Sequence, residues 1–120
     1  MNKLKVGIMS KEAYKARTLA IARGKYVPLK NEPKVWFESL GTFSQVLSEQ
    51  NQELLRLILE THPQSLGELA KTSGRASSNL SRTLRKMESY GLVHFEQRAN
   101  RQLAPRVDYA GVELAVSFQP

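Results

Sequence analysis

"SSNLSRTLRKMESYGLV", residues 77–93, sets an apolar helix face against a face of hydroxyl and cationic side chains. Leu80, Leu84 and Met87 recur at intervals of four and three residues, which is the spacing of a helix that buries one side. The same stretch contains three cations and only one acid, whereas a solvated helix surface usually mixes the two signs. The pattern predicts a helix that is anchored on one side and meets a negatively charged partner on the other.

The predicted outer face of this helix is suited to DNA. At 100° per residue, Ser78, Arg82 and Arg85 fall opposite the apolar side, with Ser81 and Lys86 on the flanks. Short side chains let a backbone approach the floor of a groove, and long cations reach base edges or phosphates. An arginine fork fits guanine or phosphate, and an asparagine amide fits adenine. We predict DNA contact here; the alternative is that the arginines are solvated or paired with nearby acids.

The elements around this helix form an ordered set. Ser65 is a good N-cap for a short preceding helix, Glu68 completes a capping box, and Gly74 ends that helix. The longer helix stops at Gly91, and the strand-like runs "LVHFEQ" and "PRVDY" follow, joined by the polar loop "RANRQLA". Two helices joined by a tight turn and followed by a hairpin predict a helix-turn-helix unit.

The run "QSLGELAKTSGRASSNLSRTLRKMESYGLV", residues 64–93, resembles winged helix-turn-helix regulators of the MarR and ArsR kind. The "SLGELA" helix, the "NLSRTLRKME" recognition helix and the "GLV" that starts the wing carry the resemblance, which covers residues 48–108. It implies sequence-dependent binding of duplex DNA by a homodimer. The recognition helix would enter the major groove, and the wing would lie against the backbone or the minor groove.

The pattern and the resemblance together give a set of candidate DNA-binding residues. Base reading in the major groove is assigned to Ser77, Ser78, Asn79, Ser81, Arg82 and Arg85. Backbone contacts are assigned to Arg75, Lys86, Arg98, Asn100 and Arg101, of which the last three belong to the wing. The alternative for the wing residues is a polar hairpin tip with no partner.

The formal net charge of +7 is unevenly distributed. Residues 1–30 carry eight Lys/Arg and one Glu, residues 31–70 carry two against six, and residues 71–106 carry eight against two. Two basic blocks therefore flank an acidic one. This arrangement favours contact with a polyanion, although a basic surface without such a partner has the same composition.

The N-terminal segment predicts a strand followed by a basic helix. Leu4, Val6 and Ile8 alternate with lysines and a glycine, which is the period of a half-buried strand. Ser10 can then cap a helix that Gly24 ends. The first 47 residues have no counterpart in the resemblance.

Two features of this N-terminal part leave alternatives open. The basic helix either binds phosphates or is amphipathic with Tyr14, Thr18 and Ile21 facing inward. Trp36 and Phe37 follow a proline-containing loop and anchor either the core or an interface.

The apolar alternation changes phase near the C-terminal end. Val107 and Tyr109 have one parity, whereas the apolar residues from Val112 onward have the other, so a bulge or break is predicted at Ala110–Gly111. The last strand is expected to pair with the N-terminal strand, either in its own chain or in a second copy.

Several classes of function find no support in the sequence. There is no cysteine, and an intracellular, cytoplasmic location is expected. His62 precedes Pro63 at a helix end and His94 lies in a predicted strand without a ligand partner, so neither indicates an active site or a metal site. We find no catalytic arrangement, no phosphate-cradling glycine loop and no membrane segment, and we expect neither enzymatic activity nor a cofactor.

These observations predict an α+β fold, mainly α: a winged helix-turn-helix domain over residues 48–120 with an N-terminal extension over residues 1–47. The extension supplies a strand and a helix and is a candidate dimer or partner region. The predicted function is that of a DNA-binding transcriptional regulator, a repressor acting as a homodimer. One alternative is an antitoxin-like protein whose N-terminal region binds a toxin. Another is a winged-helix interaction module that does not bind DNA.

Overall fold

The computed structural model describes residues 1–118, and within them the chain forms five α-helices and five β-strands. The strands are β1 (Lys3–Ile8), β2 (Val35–Phe37), β3 (Val93–Gln97), β4 (Leu103–Val107) and β5 (Gly111–Ala115). The helices are α1 (Lys11–Ala22), α2 (Leu40–Val46), α3 (Glu49–Thr61), α4 (Leu66–Ser73) and α5 (Ser77–Ser89). The expected mixture of α and β is confirmed. The last two residues of the predicted domain 48–120 lie outside the described residues.

β1 is the central strand of a three-stranded sheet of order β2-β1-β5 and is parallel to both neighbours. Val6 pairs with Val35 of β2 and with Leu114 of β5. The predicted N-terminal strand is confirmed. The last strand begins at Gly111, where the phase break was expected, and it pairs with the N-terminal strand of its own chain.

Serine side chains cap four of the five helices in residues 1–118. The hydroxyl oxygens of Ser10, Ser39, Ser48 and Ser65 each accept a hydrogen bond from the backbone N–H three residues further on. Such caps satisfy one of the N–H groups that a helix leaves unbonded at its start. The predicted caps at Ser10 and Ser65 are confirmed. The exception is α5, whose N-cap residue is Ala76 and which has no side-chain cap.

A glycine in the left-handed backbone conformation follows the C-terminal end of α4 and another follows that of α5. Gly74 has a φ of 76° and Gly91 a φ of 77°, which a residue with a Cβ adopts only with strain. β3 and β4 then form an antiparallel hairpin. β4 begins at Leu103, two residues before the predicted "PRVDY" run, because Gln97 and Leu103 continue the ladder.

One hydrophobic core joins the first 47 residues to the remainder of the described chain. Its buried members include Leu4, Val6, Phe37, Leu54, Ile58, Leu69, Leu80, Leu84 and Met87. The ring of Phe37 also stacks on the ring of Tyr90, directly after α5, with a centroid separation of 4.2 Å. The sheet therefore fixes the C-terminal end of α5, while the core holds its inner face.

α1 contributes no buried residue. Tyr14 is 48% exposed and Thr18 is exposed, so the alternative of an amphipathic helix that turns both inward is wrong for these two residues; Ile21 is half-buried. The contact of α1 with the sheet runs through Arg17, whose guanidinium carbon lies 5.4 Å from the centroid of the Trp36 ring.

The outer face of β1 explains this exposure. Lys3, Lys5 and Gly7 occupy the positions that alternate with the buried Leu4 and Val6, so a covering helix finds little apolar surface there. A Cβ on Gly7 would lie 2.5 Å from the ring of Trp36, its register partner, so the ring fills the space that a side chain would take. Within the described residues, none of the helices has the length and apolar character needed to cross a membrane.

Candidate nucleic-acid interface

α5 presents two sharply different faces. Leu80, Leu84 and Met87 are each 0% exposed and are packed in the core. Ser77, Ser78, Asn79, Arg82, Arg85 and Lys86 are exposed, and Ser81 is half-buried. Full burial of three large side chains at helical spacing fixes the rotation of α5 about its axis. The sequence-predicted orientation of this helix is therefore the one observed.

The N-terminal end of α5 is open. Ala76 has no side-chain acceptor, so within residues 1–118 no side chain caps the first backbone N–H groups of the helix. Ser77, Ser78 and Asn79 follow it and are exposed. Unsatisfied N–H groups and the positive end of the helix dipole together favour an anion at this position.

Arg82 lies on the exposed face of α5. It is exposed, and in residues 1–118 it forms no hydrogen bond or ion pair. Together with Lys86 it lines an open groove of about 680 Å³ between α2 and α5, which Glu38 and Gln45 also border. The ammonium of Lys86 lies 5.7 Å from the centroid of the Tyr90 ring.

Arg85 is used within the fold, in contrast to Arg82. Its Nη1 donates to Glu88 Oε1 at 3.0 Å, and its guanidinium carbon lies 4.4 Å from the centroid of the Phe95 ring on β3. The pairing with Glu88 was the alternative that the sequence left open, and the structure places it here for Arg85 alone. A cation over an aromatic ring is attracted by the ring quadrupole, so Arg85 ties α5 to the hairpin.

Arg75 is also committed to the fold. Its Nη1 donates to Asn51 Oδ1 at 3.2 Å and its Nη2 donates to the Gln50 carbonyl oxygen at 2.9 Å. The side chain is half-buried, and it fastens the turn between α4 and α5 to the first turn of α3. Any contact with phosphate must therefore share this guanidinium with α3.

The hairpin tip carries the three predicted wing residues, all of them exposed. Arg98 Nη2 donates to Glu96 Oε2 at 3.1 Å. Asn100 and Arg101 both have positive φ values, of 62° and 61°. Arg101 has no hydrogen-bond or ion-pair partner in the described part of the chain, so it is the wing cation that is free for a ligand.

The base of the hairpin contains contacts that the sequence did not predict. His94 lies in a strand, as predicted, and has two acidic neighbours: its Nδ1 lies 2.8 Å from Asp108 Oδ2 and its Nε2 lies 3.5 Å from Glu96 Oε1. Arg106 Nη1 donates to the Pro63 carbonyl oxygen at 2.7 Å. The separations of 14 and 43 residues leave no local signal by which either contact could have been found.

The acids at the base of the hairpin do not form a metal centre. Asp108 and Glu96 approach opposite nitrogens of the His94 ring, so the three groups do not converge on one point. Across residues 1–118, no three His, Asp or Glu side chains are grouped to hold a metal ion. The contacts of His94 with Asp108 and Glu96 instead hold the two strands of the hairpin together.

Comparison with models of protein families identifies the family to which this chain belongs. The model of the HVO_A0114 family matches residues 46–114, which is more than half of the chain, and the chain belongs to that family. The matched span runs from the last residue of α2 through α3, α4, α5 and the hairpin into β5. It thus contains the whole candidate interface. A search of curated proteins found no match.

Proposed function

We propose that the protein is a sequence-reading, non-enzymatic DNA-binding regulator built on a winged helix-turn-helix. In this proposal α4 and α5 form the helix-turn-helix, α5 is the recognition helix, and β3 and β4 form the wing. The protein acts in the cytoplasm as a homodimer on an approximately palindromic operator. It represses transcription by occluding the promoter.

The observation that carries the proposal is the division of α5 into a fully buried face and a polar face on which Arg82 has no hydrogen-bond or ion-pair partner in residues 1–118. A helix held at 0% exposure along one side has a fixed position, which reading base edges requires. On its other side Ser78, Asn79 and Arg82 are exposed. Arg85 on the same face is paired with Glu88, whereas Arg82 has no such partner in the described residues and is available to a ligand.

Two further features suit the phosphate backbone. The open N-terminal turn of α5 offers N–H groups to an anion, and Arg101 extends from the hairpin tip without an internal partner. Residues 71–106 carry eight basic residues against Glu88 and Glu96. Such a local excess attracts duplex DNA through release of its counterions, and the resulting affinity falls steeply with salt.

The test is fluorescence anisotropy with a duplex from upstream of the protein's own gene and a scrambled duplex of the same composition, across a salt series. We expect tighter binding of the upstream duplex and a steep fall of both affinities with salt. Equal affinity for the two duplexes would reduce the proposal to non-specific binding. No binding to either at low salt would leave an interaction module as the function of this fold.

A second function is supported by the surface of α1 and the loop that follows it. Tyr14, Leu19, Val27 and Leu29 are between 44% and 76% exposed, and residues 1–30 carry eight Lys/Arg against one Glu. Apolar side chains among cations suit an acidic protein partner. In this case the chain is an antitoxin-like protein that binds a toxin through residues 1–47 and represses their shared promoter.

Co-expression with the product of an adjacent small reading frame tests this second function. We expect stable co-purification that is lost with Leu19→Asp, while the affinity for DNA is retained. Co-purification that is unchanged by Leu19→Asp and by Leu29→Asp would remove α1 and its loop as the binding surface.

A further inference from the structure

The turn between α4 and α5 consists of Gly74, Arg75 and Ala76. A glycine has no side chain and an alanine has only a methyl group, so Arg75 is the residue of this turn whose side chain can bond to another element. The first buried residue of α5 is Leu80, and residues 77–79 precede it. The placement of residues 77–79 therefore depends on what holds the Arg75 guanidinium.

The Arg75 guanidinium bonds to two adjacent residues in the first turn of α3. Its Nη1 donates to Asn51 Oδ1 at 3.2 Å, and its Nη2 donates to the Gln50 carbonyl oxygen at 2.9 Å. The planar fork of an arginine can bond to two neighbouring acceptors at once. Arg75 and Asn51 are both half-buried, which lessens the competition of water for their bond.

The same Asn51 amide also bonds to the end of α2. Its Nδ2 donates to the Val46 carbonyl oxygen at 3.0 Å, and this bond fixes the orientation of the amide with Oδ1 toward Arg75. α2 forms one wall of the open groove whose other wall is α5, and Asn51 and Arg82 both line that groove. One amide thus joins the helix opposite the exposed face of α5 to the turn that precedes α5.

We propose that Asn51 and Arg75 form a clamp that sets the position of the N-terminal turn of α5, and that Arg75 is a positioning residue and not a phosphate contact. The consequence for recognition rests on the proposed function, since the clamp places Ser77, Ser78 and Asn79 against base edges. Base reading requires side chains held to within about 0.5 Å, whereas phosphate contacts carry no sequence information. Loss of the clamp should therefore lower the preference for the upstream duplex more than the affinity for the scrambled one.

A spin label tests the clamp without DNA, so this outcome is independent of the proposed function. The chain contains no cysteine, and Ser78→Cys therefore accepts a single label on the exposed first turn of α5. Electron paramagnetic resonance then reports the mobility of this turn. We expect a more mobile label when Arg75→Ala or Asn51→Ala is added. A label on Ser89→Cys, at the exposed C-terminal end of α5, is the matched control and should not change, which also shows that α5 remains folded.

Asn51→Asp keeps the bond to Arg75 and removes the bond to α2. Both oxygens of its carboxylate accept hydrogen bonds, so it needs no donor to orient it toward Arg75, but it has no N–H for the Val46 carbonyl oxygen. We expect the label mobility at Ser78 and the ratio of the two DNA affinities to remain those of the wild-type chain. Asn51→Ala loses both bonds and should lower that ratio by about fivefold or more.

Arg75→Lys decides between a clamp and a phosphate contact, because it keeps the charge and lacks the planar fork. For a clamp, the Lys variant should resemble Arg75→Ala, with a mobile label at Ser78 and a lowered ratio of affinities. Two results would overturn the proposal. One is wild-type affinity for both duplexes in Arg75→Lys, with Arg75→Ala weakening both equally and lowering the salt slope by about 1. The other is an unchanged label in both Arg75→Ala and Asn51→Ala. A wild-type chain that binds neither duplex, with labels that respond as expected, would overturn the proposed function and confirm the clamp.

Discussion

α1 and α5 are both basic helices of similar length, yet they are related to the rest of the molecule in opposite ways. α5 buries three side chains completely, and the stacking of Phe37 on Tyr90 fixes the chain directly after it. α1 buries none and contacts the sheet through the Arg17 guanidinium. Their charge alone would give both helices the same affinity for a polyanion. Because α5 is anchored by buried side chains and α1 is not, α5 holds its exposed side chains at better-fixed positions than α1 does.

On each of the two helices, cations that contact other parts of the fold can be distinguished from cations that do not. On α5, the cation that stabilises the fold is Arg85, held by Glu88 and Phe95, and the cation left over is Arg82. On α1, Arg17 is the cation that holds the fold, through Glu32 and Trp36. Lys11 pairs with Glu38 at 3.6 Å, so Lys15 is the α1 cation without a hydrogen-bond or ion-pair partner in residues 1–118. It lies on a helix that contributes no buried residue, so it suits attraction better than base reading.

The largest difference that we expect between α5 and α1 is in their contribution to the free energy of unfolding. Leu84→Ala should lower the free energy of unfolding by about 2–5 kcal/mol, because the side chain is 0% exposed and its loss leaves a cavity. Leu19→Ala on α1 should change it by less than about 0.5 kcal/mol. Urea unfolding followed by circular dichroism measures both values. Similar losses in the two variants would mean that α1 is anchored as firmly as α5.

The next largest effect is expected at Arg82. Arg82→Ala should cost about 1–3 kcal/mol of binding free energy on the preferred duplex and much less on a scrambled one, because a base contact is lost. Lys15→Ala, at an exposed position on α1, should change the two affinities equally and slightly. Anisotropy titrations at fixed salt give the four dissociation constants. Arg56→Ala on α3 is the control for loss of one charge away from α5.

The outcome at Arg82 is decided by the ratio of the two affinities and not by their size. Equal losses on both duplexes would show that Arg82 contacts phosphate and would remove its base-reading role. A changed ratio in Lys15→Ala would instead place α1 in contact with base edges and would end the distinction between the two helices.

A smaller effect is expected from the caps, which differ between the helices. Ser10 caps α1, whereas Ala76 leaves α5 uncapped. Ala76→Asn and Ala76→Asp should each raise the free energy of unfolding by about 0.5–1 kcal/mol by satisfying an open N–H group. Both should weaken DNA binding, Asp more than Asn, because the N–H groups are occupied and a carboxylate repels phosphate. Ser10→Ala should lose about 1 kcal/mol of stability and leave DNA binding unchanged.

Thermal unfolding and anisotropy on the same preparations separate the two effects at Ala76. A variant that is more stable and binds DNA as well as the wild-type chain would show that the N-terminal turn of α5 does not meet a phosphate. The absence of a cap would then have no functional meaning.

The predictable part of the fold rests on local physical signals. The apolar spacing on α5, the caps at Ser10 and Ser65, and the left-handed Gly74 all depend on residues within one turn of each other. The parity change predicted the break before β5, whereas pairing of β5 with its own β1 or with that of a second copy was left open. Signals of this range are present in the sequence itself, and the structure agrees with them.

The contacts of Arg75 and His94 were not predictable, because their partners are distant in sequence. Arg75 is held by Asn51, 24 residues away, and His94 by Asp108, 14 residues away. The exposure of α1 has a related cause: an amphipathic pattern indicates which side a helix would bury, but not whether a surface exists to cover it. Here the outer face of β1 carries lysines and a glycine, and no such surface is present.

The hairpin tip allows a fixed position to be tested apart from base reading. In the proposal α5 has both properties and α1 has neither, whereas the tip has a fixed position only. Arg101 lies on a tip held by the β3–β4 ladder, yet the proposal gives it a phosphate contact alone. Arg101→Ala should therefore weaken binding to the upstream and scrambled duplexes equally and lower the salt slope by about 1. Arg98→Ala should have less effect, because Arg98 is already paired with Glu96 at 3.1 Å. If Arg101→Ala instead changed the ratio of the two affinities, the wing would read sequence. A fixed position would then be sufficient for base reading on this molecule, and recognition would not be confined to α5.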